Sequence, residues 1–137
     1  MPTAGYSKRS LAEKLGIKPE WNSVALNAPK HSPALLEGEF PNLRFDLRGN
    51  AQLPFIHLFA SEPLGISKIL PKIKEKLLPN GILWISWPKK ASGASTKLDE
   101  NVVRELGLKG GLVDIKVCAV DETWSGLKFV FRLNDLP

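Results

Sequence analysis

Sulfur and titratable rings are scarce in this chain. Its 137 residues include one cysteine, one methionine, one tyrosine and two histidines. The single cysteine, Cys118, excludes an internal disulfide framework and suits a reducing compartment, so a cytoplasmic location is expected. His31, His57 and Cys118 are too few and too scattered to supply a metal-ligand spacing, and no metal is expected. No apolar run approaches the roughly 18 residues of a membrane span, so no membrane partner is expected. The stretch Met1–Ser10 carries charges with no apolar core behind them and is not expected to act as a signal peptide. Walker-type loops, nucleophile elbows and paired-cysteine motifs are missing as well, which leaves the catalytic residues unassigned.

What is present is an ordinary globular composition, 43% hydrophobic and 24% charged. A chain of this length fits one domain over residues 1–137 and buries roughly two-thirds of the surface its unfolded form exposes. The net charge of +5 is dispersed, which serves solubility more than it marks a nucleic-acid surface. Lys72 and Lys76 share a helix face at i, i+4 while Lys74 points elsewhere, so no basic stripe forms and a nucleic-acid partner is not expected.

Two kinds of element alternate along the chain. Leu11 and Leu15, with Gly16 as a stop, predict a short helix over 8–15. Ser23–Ala28 reads as a strand, and Ser32-Pro33 caps a brief helix over 33–38. Leu43–Leu47 and Pro54–Ala60 read as strands, the second with its proline confined to the first position. Ile66, Ile69, Leu70, Ile73, Leu77 and Leu78 form one face of a helix over 64–78, kinked at Pro71 and ended by Pro79-Asn80-Gly81. The strand Ile82–Trp87 follows, then a helix over 97–107 with Thr96 and Asp99 spaced as a capping box. Strands Leu112–Val120 and Leu127–Leu133 close the chain, and the short segment between them forces antiparallel pairing. The pattern predicts an α/β, three-layer Rossmann-like fold: a mainly parallel sheet with a C-terminal antiparallel strand.

The segment Leu77-Leu-Pro-Asn-Gly-Ile-Leu-Trp-Ile85, followed by strand, helix and an antiparallel strand pair, resembles the C-terminal half of class I methyltransferases. Trp87-Pro-Lys-Lys-Ala-Ser-Gly93 and Val117-Cys-Ala-Val-Asp-Glu-Thr-Trp-Ser-Gly-Leu-Lys128 resemble a smaller bacterial family of domains to which no function is assigned, as do Gly5-Tyr-Ser7 and Lys14–Lys18. The resemblance implies a shortened methyltransferase-like topology. It also implies where S-adenosylmethionine would sit, in a glycine-rich turn after the first strand with an acid after the second. The corresponding positions here are Ala28, in a turn that contains no glycine, and Asp46.

In an open α/β sheet, ligands bind outside the carboxyl ends of the strands. Lys30 and His31 precede one predicted helix N-terminus, and Lys89, Lys90 and Ser92 precede another, an arrangement suited to a small anionic ligand. Asp121, Trp124 and Ser125 belong to a loop on the same edge, where Trp87 and Trp124 are expected to wall a site. The structural alternative is lysines solvating a loop and tryptophans pinning a hairpin. His57 alternates with Phe55 and Phe59 and reads as a structural histidine, and Cys118 as a buried thiol. The absent glycine turn favours a non-catalytic or ligand-binding domain with no cofactor. The alternatives are an S-adenosylmethionine-dependent methyltransferase with an atypical cofactor loop, or a basic RNA- or protein-binding module.

Overall fold

A computed structural model describes residues 15–18, 20–28, 43–47, 49, 52–89, 97–120 and 123–132. The strands are β1 (Ser23–Leu26), β2 (Leu43–Arg44), β3 (Leu53–Phe59), β4 (Leu77–Pro88), β5 (Leu112–Ala119) and β6 (Trp124–Phe131). The described helices are α1 (Pro63–Ser67), α2 (Leu70–Lys76) and α3 (Glu100–Lys109). The sheet runs β2-β1-β3-β4-β6-β5, with β1 to β4 parallel and β6 antiparallel to both β4 and β5. This is the predicted mainly parallel sheet with one reversed strand inserted near its end. The predicted helices over 8–15 and 33–38 lie outside the described residues, apart from Leu15. No helix among the described residues is long and apolar enough to cross a membrane.

Period-two alternation sends the side chains of each strand to opposite faces. One face, under α1, α2 and α3, buries Val24, Leu26, Ile56, Leu58, Leu83, Ile85, Trp87, Leu127 and Phe129 against Ile66, Leu70, Ile73 and Val103. The other buries Ala25, Phe55, Phe59, Trp84 and Val120 with Leu15 and Ile17. Trp84 anchors that second layer, its Nε1–H donating to the carbonyl of Leu15 at 2.7 Å. α3 reaches β6 closely because Gly107 carries no side chain: a Cβ there would lie 2.1 Å from the Phe129 ring.

Several boundaries differ from expectation. The helix predicted over 64–78 is two helices, separated at Lys68 and Ile69. Pro71 has no N–H to give Ser67 and its ring crowds that carbonyl, so a tighter turn intervenes, in which the Ile69 N–H donates to Ile66 at 3.2 Å. α2 then ends at Lys76, not at the Pro79-Asn80-Gly81 turn, and β4 begins at Leu77. β4 takes five residues, Leu77 to Ile82, over an advance that β3 makes in two, Leu53 to Phe55. This irregularity holds Pro54, the second residue of β3 rather than its first, out of a regular ladder position.

α3 begins after Asp99, which is itself the N-cap: its Oδ1 accepts from Val102 N at 2.9 Å. Thr96, expected to form the capping box with it, lies outside the described residues. β6 starts at Trp124, so Trp124, Ser125 and Gly126 belong to a strand and not to the expected loop. Gly126 sits there because a Cβ would lie 2.9 Å from Ser86 Oγ and 3.1 Å from the Trp84 ring.

Candidate functional site

The carboxyl edge of the parallel strands collects the described candidate residues in two groups. The first lies past β1 and β2. β1 ends at Leu26 because Asn27 takes a left-handed backbone conformation (φ 56°), the one non-glycine residue among the described ones with positive φ. Asparagine tolerates that region better than nearly any other side chain, and glycine is the usual occupant. Ser23 pairs with Leu43 and Val24 with Arg44, so Asn27-Ala28 and Asp46 both lie just beyond the ends of adjacent parallel strands. Asp46 is exposed, and beside it Phe45 keeps 49% of its surface in solvent.

The second group lies past β4 and before β6, roughly 10 Å from the first because β3 stands between β1 and β4. Trp87 pairs with Ser125 and Pro88 with Trp124, and the N–H of Lys89 donates to the Thr123 carbonyl at 2.7 Å. Val120 N–H donates to the Trp124 carbonyl at 2.9 Å and closes the β5–β6 connection beside them. The topology therefore brings Trp87, Lys89, Trp124 and Ser125 to one edge. It does not make the two tryptophans walls of one pocket. Trp87 lies in the core under the helices, whereas Trp124 packs edge-on to Phe59 on the opposite face, ring centroids 5.0 Å apart. Residues 87 and 124 belong to successive cross-strand pairs, and successive pairs alternate sides. Lys30, His31, Lys90, Ser92 and Asp121 lie outside the described residues.

Electrostatically, the marked perturbation lies below this edge. His57 is buried, stacked on Phe59 at 4.1 Å between centroids, with Nε2 2.7 Å from Ser86 Oγ. Burial pushes its pKa from 6.5 down to about 3, so the ring is neutral and serves as packing with one polar contact. Its structural role is the expected one. Cys118 is half-buried on β5 rather than fully buried. Burial, then the charge of Lys116 directly opposite, lowers the pKa of Lys128. Among the described residues no three His, Cys, Asp or Glu side chains are grouped to hold a metal ion.

Sequence reasoning missed Asn27. The signal was available in an asparagine placed directly after an apolar strand, a position that reads as a turn without showing which conformation the turn adopts.

The architecture and this edge define a methyltransferase-like Rossmann fold. A TehB-like S-adenosylmethionine-dependent methyltransferase from Corynebacterium glutamicum is similar over 94% of this chain and 91% of its own, with a TM-score of 0.59 at 10% identity. The glycopeptide N-methyltransferase MtfA matches 88% of this chain and 87% of its own, with a TM-score of 0.57 at 12% identity. Fibrillarin from Aeropyrum pernix, solved with natively bound S-adenosyl-L-methionine, matches 88% of this chain and 73% of its own, with a TM-score of 0.54 at 11% identity. These likenesses are of fold. No family model matches the chain, and no curated protein does.

Proposed function

We propose that this chain is an S-adenosylmethionine-dependent methyltransferase whose cofactor turn is built on Asn27 instead of glycine. The observation that carries the reading is the left-handed backbone at Asn27, directly after β1 and next to the exposed Asp46 that follows β2. The expectation of a non-catalytic domain rested on a missing glycine. A glycine at the first turn position supplies a left-handed conformation, which Asn27 also adopts, and the small Ala28 follows it. The fold shared with solved methyltransferases supports the same reading.

In this arrangement the Asp46 carboxylate would accept hydrogen bonds from the ribose hydroxyls, and the Asn27-Ala28 backbone would lie against the cofactor with no bulky side chain on Ala28. When bound, the cofactor supplies an electrophilic methyl group on a sulfonium. Lys89, across β3 from this pair, is the described member of the lysine loop and would meet an anionic group of the acceptor.

Calorimetry with S-adenosylhomocysteine tests the reading. Micromolar binding is expected, retained in Asn27→Gly. It falls at least about tenfold in Asp46→Ala through the loss of charge-assisted hydrogen bonds, and likewise in Asn27→Val, whose β-branched side chain strains positive φ. Absence of any heat or melting shift with either S-adenosylhomocysteine or S-adenosylmethionine overturns it.

A further inference from the structure

Among the asparagines of this chain, Asn80 alone is followed by glycine. The backbone nitrogen after an asparagine can close on the side-chain amide carbon, and a Cβ on the following residue obstructs that approach. Asn22 is followed by Ser23 and Asn27 by Ala28. The N–H that follows Asn101, that of Val102, is held by Asp99 Oδ1 at 2.9 Å. At Asn80 the obstructing Cβ is missing, and packing keeps it so. A Cβ on Gly81 would lie 2.9 Å from the Leu78 carbonyl oxygen and 2.8 Å from Cδ1 of Leu77, a side chain buried in the core. The Leu78 carbonyl comes that close because the chain bends between the two residues. The register between β3 and β4 passes from Leu53–Leu77 to Phe55–Ile82, which leaves Leu78–Gly81 between two anchored pairs. Rotation of the Asn80-Gly81 peptide therefore leaves the ladder on either side in place. Pro79 and Asn80 are exposed, so water reaches the amide.

We propose that Asn80 is a site of spontaneous self-modification, converting through a succinimide to aspartate and isoaspartate. The Gly81 nitrogen bonds to Asn80 Cγ, the Cγ–Nδ2 bond breaks, and the Gly81 N–H proton leaves with the amide as ammonia. Water then adds to one of the two ring carbonyls. Opening the ring at Cγ gives aspartate at position 80. Opening it at the main-chain carbonyl carbon gives isoaspartate, with the main chain routed through the former side chain. Each conversion lowers the net charge of +5 by one unit. It does so near the start of β4, at the opposite end from Lys89 and the candidate cofactor edge. The added main-chain carbon falls between the register pairs, so β4 from Ile82 onward keeps its place.

The full chain, held in mildly alkaline buffer below its melting temperature, is sampled over time by cation exchange and peptide mass mapping. The urea-unfolded chain serves as the clock. A less basic form is expected, with a gain of about 1 Da in the peptide that holds Asn80. Folded and unfolded chains are expected to convert at rates within about tenfold of each other. Asn80 is expected to convert at least about tenfold faster than Asn22, Asn27 or Asn101. Isoaspartate identifies the succinimide route, because direct hydrolysis of the amide gives aspartate only. Asn80→Gln, an exposed substitution whose longer side chain closes the ring poorly, is expected to keep its melting temperature and remain a single charge form. An Asn80 that stays intact in the folded chain while the unfolded chain converts overturns the proposal. So does aspartate without isoaspartate, or a charge change that persists at the same rate in Asn80→Gln.

Discussion

Acidification should destabilise this protein through His57. The ring is buried between Phe59 and the Ser86 hydroxyl, and its pKa falls from 6.5 to about 3 because the imidazolium would lose its hydration there. Between those values the unfolded chain takes up a proton that the folded chain refuses. The contribution is therefore fully present above pH 6.5, declines by about 1.4 kcal/mol for each pH unit below it, and levels off near pH 3. From pH 7 to pH 5 the loss from this one group is roughly 2 kcal/mol, a shift of roughly 6–10 °C in melting temperature for a domain of this size. Carboxylates titrate in the same range, so the comparison has to isolate the histidine. His57→Gln retains an amide that can bond Ser86 Oγ and cannot be protonated. Urea unfolding at pH 7, 6 and 5 should show the wild type losing about 2 kcal/mol more than His57→Gln over the interval. Parallel stability curves for the two proteins would refute the reasoning.

Two further substitutions probe how the helix layer is attached. Gly107→Ala drives a Cβ to within 2.1 Å of the Phe129 ring, so α3 must move off β6; a loss of about 1–3 kcal/mol is expected in denaturant titration. Asp99→Ala removes the side-chain acceptor for Val102 N–H and should cost about 1 kcal/mol, with Asp99→Asn or Asp99→Ser recovering most of it. The S-adenosylhomocysteine titrations of the Asn27 and Asp46 variants complete the set.

Features set by neighbours close in sequence are legible in the sequence. The alternation of Phe55, His57 and Phe59 gave their shared face, and His57 stacks on Phe59 there. The apolar stretch Ile82–Trp87 lies in the C-terminal half of β4, and Leu98, Val102, Val103 and Leu106, in and just before α3, pack on the core. Errors fell where a local signal has two structural answers. Pro71 reads as a kink within one helix, whereas it follows the break between two. Ser125 and Gly126 read as the end of a loop, whereas Gly126 is a strand residue whose missing side chain makes room for Ser86 and Trp84. Trp87 and Trp124 were assigned to one site on the strength of a shared edge, and strand alternation put them on opposite faces. At the candidate cofactor turn the absence of glycine was legible, whereas the left-handed conformation of Asn27 was not.

The sequence by itself determined the α/β class, the parallel core and the reversed final strand. Alternation, capping and turn residues act over a few positions and carry those features without outside help. It also determined on which edge Ala28, Asp46 and Lys89 lie, because strand direction follows from the order of elements. Tertiary structure alone decided which of those residues meet. β3 separates Asn27 and Asp46 from Lys89, and one position along a strand separates Trp87 from Trp124 by the thickness of the sheet. The physical reason is that strand order and register are set by pairing between segments far apart in the chain, where no local pattern reaches.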